Sequence, residues 1–352
     1  MRKTTRKIRL KDIYIGGNAP ITVQSMTNTD TRDIDKTISQ ILSLEKVGCE
    51  IIRVAIPDEK AIKSIKPILN AIKIPLIADI HFDYKLAIQA IEEGVHCVRI
   101  NPGNIGGKEN TIKVIEAAKI NSCAIRLGVN AGSLEKDILK KYGVTSDALV
   151  ESAIRNINIF EEKNFENLKI SIKASSVKLT IEAYRKLSSM VDYPLHIGVT
   201  EAGTKFTGTI RSSVGIGTLL AEGIGDTLRV SLTADPALEV KVGWEILKSL
   251  NLRQRGVEII SCPTCGRTEI DLIPLAEKVE EMLQSIEKHI TVAVMGCPVN
   301  GPGEAREADY GIAGGKKLGI IFKKGEVIKK VKEPDLLNEF YKTIIEDINN
   351  ER

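Results

Sequence analysis

Short β-rich runs alternate with amphipathic stretches eight times along the first 250 residues, and no other feature restricts the fold as strongly. The runs are 21–27, 51–57, 76–80, 97–103, 124–130, 168–175, 195–203 and 227–232. Between them, 35–47, 108–119, 146–162 and 236–250 place apolar residues at helical spacing and are long enough for crossover helices. Eight such units predict an α/β chain built on a (β/α)8 TIM barrel. An open doubly wound sheet normally carries a glycine-rich phosphate fingerprint after its first strand, and Gln24-Ser-Met-Thr27 offers none.

At 352 residues the chain is longer than a barrel of about 250 residues requires. The rhythm breaks at 251–256, and a strand at 256–260, a helix at 271–285, a strand at 290–295, a hairpin at 318–330 around Lys324-Gly325 and a helix at 334–349 follow. This pattern predicts a barrel over 1–253 that binds substrate and a small α+β module over 254–352. Before residue 20, Gly16-Gly17-Asn18 suggests a hairpin turn, placed so as to close the N-terminal end of the barrel.

Parallel barrel strands are buried on both faces, so charges inside them need a reason. Arg53, Arg99, Arg126, Lys173 and Arg229 fall within five of the eight runs, and closing the barrel brings them together. Asp79 and Glu201 supply only two compensating negative charges. The surplus points to an anion, and guanidinium forks suit phosphate oxygens, so a phosphate or diphosphate ester at the C-terminal mouth is the expected ligand. Gln24, His81, Asn101, Asn130, Ser175, Thr200 and Ser231 stand at strand ends facing the same mouth. His96, His196 and His289 lie before or at strand starts and read as structural. Gly103-Asn-Ile-Gly-Gly-Lys108 lacks the first Walker glycine and the final Ser/Thr, leaving only its backbone amides as a cradle for an anion.

Three of the six cysteines cluster near the C-terminus, in Cys262-Pro-Thr-Cys265 and Cys297-Pro-Val-Asn-Gly-Pro-Gly-Glu304. That spacing suits iron or zinc, with Glu304 available as a labile fourth ligand or, in a zinc knuckle, His289 completing the set. Cys49, Cys97 and Cys123 lie at the edges of apolar runs and read as small hydrophobes. The remaining composition bounds the class: 43% hydrophobic and 27% charged residues fit a globular core, and 50 basic against 46 acidic side chains are spread without polybasic blocks. Neither a signal peptide nor an apolar run of spanning length occurs, so a cytoplasmic protein without membrane or nucleic-acid partners is expected.

Ser-Cys-Pro-Thr-Cys-Gly-Arg-Thr-Glu, Met-Gly-Cys-Pro-Val-Asn-Gly-Pro-Gly-Glu, Arg-Ile-Asn-Pro-Gly-Asn-Ile-Gly and Arg-Leu-Gly-Val-Asn-Ala-Gly-Ser-Leu together resemble the bacterial 4-hydroxy-3-methylbut-2-enyl diphosphate synthases over essentially the whole chain. The resemblance implies reductive ring opening of 2-C-methyl-D-erythritol 2,4-cyclodiphosphate in non-mevalonate isoprenoid synthesis, with flavodoxin or ferredoxin as electron donor. It implies a [4Fe-4S] cluster on Cys262, Cys265 and Cys297, with Glu304 at or near the fourth iron. It also implies that Arg53, Arg99, Arg126, Asn130, Lys173, Arg229 and Ser231 bind substrate, that Glu201 stands near the reacting carbons, and that the enzyme is a homodimer in which one subunit's cluster module caps the partner's barrel. Two other classes remain at this stage: a non-redox transferase resembling the pteroate synthases with a structural zinc, and a basic RNA-binding module, disfavoured by only 4% aromatics.

Overall fold

The computed structural model describes residues 2–297, 305–315 and 318–350. The chain divides into two compact units, Met1–Arg253 and Gln254–Arg352.

In the first unit an antiparallel hairpin, β1 (Ile8–Leu10) and β2 (Ile13–Ile15), precedes eight parallel strands. These are β3 (Thr22–Met26), β4 (Ile51–Ala55), β5 (Leu76–Asp79), β6 (Cys97–Ile100), β7 (Ala124–Asn130), β8 (Leu168–Lys173), β9 (His196–Ile197) and β10 (Thr227–Leu228). Their order is β8-β7-β6-β5-β4-β3-β10-β9, and a parallel bridge between Ile170 and Leu195 joins the two ends into a barrel. Helices return the chain after each strand, among them α1 (Ile34–Lys46), α2 (Glu59–Ala71), α3 (Tyr84–Glu92), α4 (Lys108–Ile120), α5 (Lys136–Tyr142), α6 (Ser146–Glu162), α7 (Val177–Met190), α8 (Lys205–Ala221) and α9 (Pro236–Ser249). Asp33, Asp58, Asp83, Thr145, Ser176 and Asp235 cap the first turns of α1, α2, α3, α6, α7 and α9 through side-chain oxygens, which makes the connection into each of these helices end sharply.

Each of the eight expected runs holds a strand, but two ladders are far shorter than 195–203 and 227–232 suggest. The cause sits at Gly198, where a Cβ would stand 2.4 Å from the Arg229 carbonyl oxygen and 2.7 Å from Lys173 Nζ. The two chains approach closely around a cation there instead of continuing a regular ladder. The hairpin also turns earlier than expected, at Lys11–Asp12 with Lys11 at φ 56°, while Gly16 begins the following turn by accepting the Ala19 N–H.

Strand alternation sorts the side chains. Outward residues such as Ile52, Val54, Leu76, Val98, Ile125, Leu127, Ile170 and Ile172 join the main apolar core beneath the helices. Ile51, Ile77, Cys97 and Ala124, at the N-terminal ends of β4 to β7, pack instead with Ile8, Leu10 and Ile15 of the hairpin. The hairpin therefore forms an apolar floor to the barrel, in keeping with its expected place.

In the second unit β11 (Val257–Ser261), β12 (Ile290–Met295) and β13 (Tyr310–Gly315) run parallel, and β14 (Leu318–Lys323) and β15 (Glu326–Lys332) extend the sheet antiparallel. Helices α10 (Leu272–Leu283) and α11 (Leu336–Asn350) place Val279, Leu283, Phe340 and Ile344 in one apolar cluster with Val292, Val294, Ile312 and Ile321. The pattern analysis does not anticipate β13, because three of its six residues are glycine. Those glycines serve packing: a Cβ on Gly311 would lie 2.1 Å from the Phe322 ring and one on Gly314 2.2 Å from Ile270. No helix among the described residues is long and apolar enough to cross a membrane.

Candidate active site

Directly above the floor the barrel interior changes character. Counting two residues along each strand replaces Ile51 by Arg53, Ile77 by Asp79, Cys97 by Arg99 and Ala124 by Arg126. The register pairs Asp79 with Arg99 and Arg99 with Arg126, so these charges form one belt around the interior. Asp79 Oδ1 accepts from Arg99 Nη1 at 3.3 Å, and its Oδ2 lies 3.8 Å from Arg53 Nη1 and 3.6 Å from His81 Nε2. Burial pushes the Asp79 carboxyl up, but Arg53, Arg99 and Arg126 together outweigh it and hold its pKa at about 2. One carboxylate thus organises three cations without neutralising them.

The remaining expected cations converge on the same space. Burial, followed by repulsion from Arg126, Arg229, Arg53 and Arg99, pushes the Lys173 ammonium well below its usual range. Burial likewise lowers Arg126 to about 10, with Arg99 the next cause, and lowers Arg53 despite the attraction of Asp79. Two inward glycines make the crowding possible. A Cβ on Gly128 would stand 2.7 Å from Arg99 Nε, and Gly198 leaves the corresponding room for Lys173. Arg126 Nε and Nη1, Arg99 Nε, Arg229 Nε and both polar atoms of Gln24 are buried without a protein hydrogen bond among the described residues. Donors that converge in a low-dielectric space and are not satisfied by the chain are what a bound polyanion would engage.

Other expected residues fall into distinct places. With its amide oriented toward the belt, the Asn130 oxygen accepts from Arg99 Nη2 at 3.0 Å. Ser231 lies half-buried beyond β10, and His81 is exposed at the rim beside Phe82. Glu201 is exposed in the loop after β9 and adopts φ 52°, a left-handed conformation uncommon for glutamate. Asn101 is turned to local structure: its Oδ1 accepts the Gly103 N–H and its Nδ2 donates to Ser133 Oγ. The 103–108 loop also departs from expectation, since the amides of Gly103, Asn104, Ile105 and Gly107 all bond to Asn101 or Pro102 and are not free to cradle an anion.

Two charged residues of the site escape the sequence reading. Lys169, two strand positions before Ser171 and four before Lys173, is fully buried inside the barrel. The alternation Lys169, Ser171, Lys173 carries that signal, although only one cation per strand is taken from it. Glu239, in the first turn of α9, accepts from Arg229 Nη2 at 3.4 Å and from the Leu232 N–H at 2.8 Å. It is 4% exposed and holds Arg229 in place. No strand pattern signals a residue supplied from a helix. His196, read as structural, is buried with Nδ1 2.9 Å from Thr227 Oγ1.

In the second unit, Cys262 follows β11 and Cys297 follows the adjacent β12, so the register places them at neighbouring strand ends. The Gly296 N–H donates to Cys262 Sγ at 3.3 Å. Cys265 is exposed, and hydrogen bonds from Arg267 lower its thiol. Among the described residues no three His, Cys, Asp or Glu side chains already stand close enough to hold a metal ion. The donor set nevertheless fits a thiolate-ligated metal group, with two sulfurs just past adjacent strand ends and the third in the loop after the first of them. Glu304 lies outside the described residues. The zinc-knuckle alternative finds no support: His289 precedes β12 and Cys297 lies beyond its far end, with the six-residue strand of about 20 Å between them, and His289 Nδ1 faces Gly256 O at 3.3 Å.

Comparison with known proteins agrees with this arrangement. The GcpE TIM-barrel domain matches residues 5–244, and the GcpE protein C-terminal domain matches residues 258–346. The chain is 61% identical over 350 residues to a Clostridium tetani protein, covering 99% of each. It is 58% identical over 353 residues to one from Fusobacterium nucleatum, covering 100% of each. Both relatives are named 4-hydroxy-3-methylbut-2-en-1-yl diphosphate synthase (flavodoxin). Among solved structures, Yersinia pestis dihydropteroate synthase superposes with a TM-score of 0.50 at 12% identity, covering 70% of this chain and 98% of that one. That likeness concerns the barrel fold alone. With both domains matched and the basic barrel interior and paired thiols in place, the chain belongs to the GcpE family.

Proposed function

We propose that the chain catalyses the reaction named for its relatives, converting 2-C-methyl-D-erythritol 2,4-cyclodiphosphate to 4-hydroxy-3-methylbut-2-enyl diphosphate. The ring carbon–oxygen bond to the diphosphate breaks, two electrons enter, and the hydroxyl takes a proton and leaves as water. The observation that carries this reading is the buried belt of Arg53, Arg99, Arg126, Lys173 and Arg229 around Asp79, whose positive excess calls for a ligand with more than one negative charge.

In this reading the barrel binds and orients. Guanidinium groups of Arg53, Arg99, Arg126 and Arg229 engage phosphate oxygens, and Lys173 adds a point charge. Asn130 and Ser231 bound the site and Asn101 shapes its edge by holding the following loop, while His81 and Asp79 face the reacting side. Glu201 offers a carboxylate at the rim near the reacting carbons. Its left-handed backbone is the kind of strain that functional sites retain. Cys262, Cys265 and Cys297 would hold a [4Fe-4S] cluster, with Glu304 as the residue for its fourth position. When bound, that cluster supplies electrons one at a time. Flavodoxin as donor, with ferredoxin as the other candidate, and a homodimeric enzyme belong to the same reading.

The test is an anaerobic preparation assayed for iron, sulfide and zinc and then titrated with the cyclic diphosphate. Iron and sulfide in equal amounts, a spectrum that responds to the ligand and product formation with reduced flavodoxin are expected. Zinc without sulfide, and indifference to the ligand, would falsify the proposal. Cys297→Ser should strip or damage the cluster while the barrel still binds the diphosphate.

A further inference from the structure

Lys169 has no place in the reading above, yet its position is difficult to reconcile with a purely structural role. It is 0% exposed, and its Nζ makes no hydrogen bond to the protein among the described residues. A buried ammonium normally has a carboxylate or several acceptors. The groups facing Lys169 supply neither: Cys97 on β6, Arg126 on β7, Arg53 on β4 and His196 on β9. Burial raises the Cys97 thiol and lowers the His196 imidazole, so both are neutral. Arg126 and Arg53 are cations, and Lys173 farther along the same strand is a third basic group rather than an acceptor. Ser171 donates its hydroxyl to the Leu127 carbonyl.

We propose that Lys169 is a further member of the anion site that acts by proton uptake: its amine gains a proton when the diphosphate enters the well and releases it when the ligand leaves. The proposal rests on the substrate reading above and deepens it. In the free protein an added charge on Lys169 meets only cations across a low-dielectric interior. A dianionic ligand reverses the sign of that field and makes the same charge favourable. Burial, reinforced by Arg126 and Arg53, already lowers the Lys169 ammonium to about 8 in the free chain. Ligand binding raises it again. Below about pH 8 the group is protonated in both states and no proton moves. Above that value binding takes one up, and affinity falls as pH rises, at most about tenfold per unit. The ligand contributes no proton of its own, because each phosphorus of a cyclic diphosphate diester carries only one strongly acidic oxygen.

Calorimetric titration of the anaerobic holoenzyme with the cyclic diphosphate, in buffers of different ionisation enthalpy at pH 7 and pH 9, measures the proton directly. The wild type should take up a sizeable fraction of a proton more at pH 9 than at pH 7, because uptake by the more strongly lowered Lys173 is common to both. Lys169→Met and Lys169→Arg should both lose that increment, and in the arginine variant affinity should no longer fall more steeply above about pH 8. Ligand-free Lys169→Met should also unfold at a higher temperature than wild type, since an unpaired charge is removed. An unchanged increment in either variant would assign the proton to another group, such as Lys173, and overturn the proposal. So would a wild type that takes up no more of a proton at pH 9 than at pH 7, a result that needs no variant to fold. Absence of binding heat at pH 7 would instead remove the substrate reading, and this inference with it.

Discussion

Two layers of one barrel lie two residues apart on the same strands and have opposite chemistry. Below, Ile51, Ile77, Cys97 and Ala124 close against Ile8, Leu10 and Ile15, an apolar floor from which water is excluded. Above, Arg53, Asp79, Arg99 and Arg126 occupy the next inward positions. The floor gains stability from burial, whereas the belt loses some through desolvated charge that Asp79 and Glu239 offset in part. The barrel is therefore partitioned along its axis: sequence changes near the strand starts should act on stability, and changes one step further on should act on binding.

The largest effect expected from this partition is loss of binding without loss of fold. Arg126→Leu should weaken binding of the cyclic diphosphate by about 2–5 kcal/mol, or ~30- to 4,000-fold. Its melting temperature should equal or exceed that of wild type, because the leucine needs no compensating charge. A marked fall in melting temperature would show that the belt also supports the fold. Leu10→Ala is the converse. It should destabilise the chain by about 2–5 kcal/mol in denaturant melts. The folded fraction should bind with unchanged affinity.

The two layers were not equally legible in the sequence. Eight apolar runs separated by helical periods fixed the barrel, and charges interrupting those runs identified the belt, because both signals are local and repeat at strand spacing. Lys169 alternates with Ser171 and Lys173, so the same period that marks one inward charge on this strand marks the other. Glu239 was not accessible to that logic, since a helix brings it to Arg229 through tertiary packing. β13 carries no such signal, because the glycines whose bare faces Phe322 and Ile270 need leave its apolar alternation incomplete. Asn101 adds that a polar strand-end residue can also serve its own loop.

Asp79→Asn probes the junction between the layers through pH. The native pKa of about 2 lies below the ordinary 3.8, so the carboxylate's contribution is complete above pH 3.8 and is lost as pH falls toward 2. The variant should be less stable by about 2 kcal/mol at pH 7. The difference from wild type should shrink through that acid window. A constant difference down to pH 2 would mean that Asp79 contributes through packing rather than charge.

The smallest expected effect gives the sharpest separation of binding from stability. In Gly128→Ala the new methyl meets the Arg99 guanidinium at 2.7 Å, a side-chain terminus able to move away. Stability should change by less than about 1 kcal/mol. The displaced guanidinium would leave both Asp79 and Asn130, so affinity for the cyclic diphosphate should fall about tenfold, near 1.4 kcal/mol. Gly198→Ala is the matched contrast, because its methyl would stand 2.4 Å from the Arg229 carbonyl oxygen, which belongs to backbone and cannot rotate aside. That variant should cost about 1–3 kcal/mol of stability as well as affinity. If thermal melts and calorimetry found the two alanine variants indistinguishable, the belt would not be held by side-chain placement alone, and the division between a structural floor and a binding layer would have to be drawn lower in the barrel.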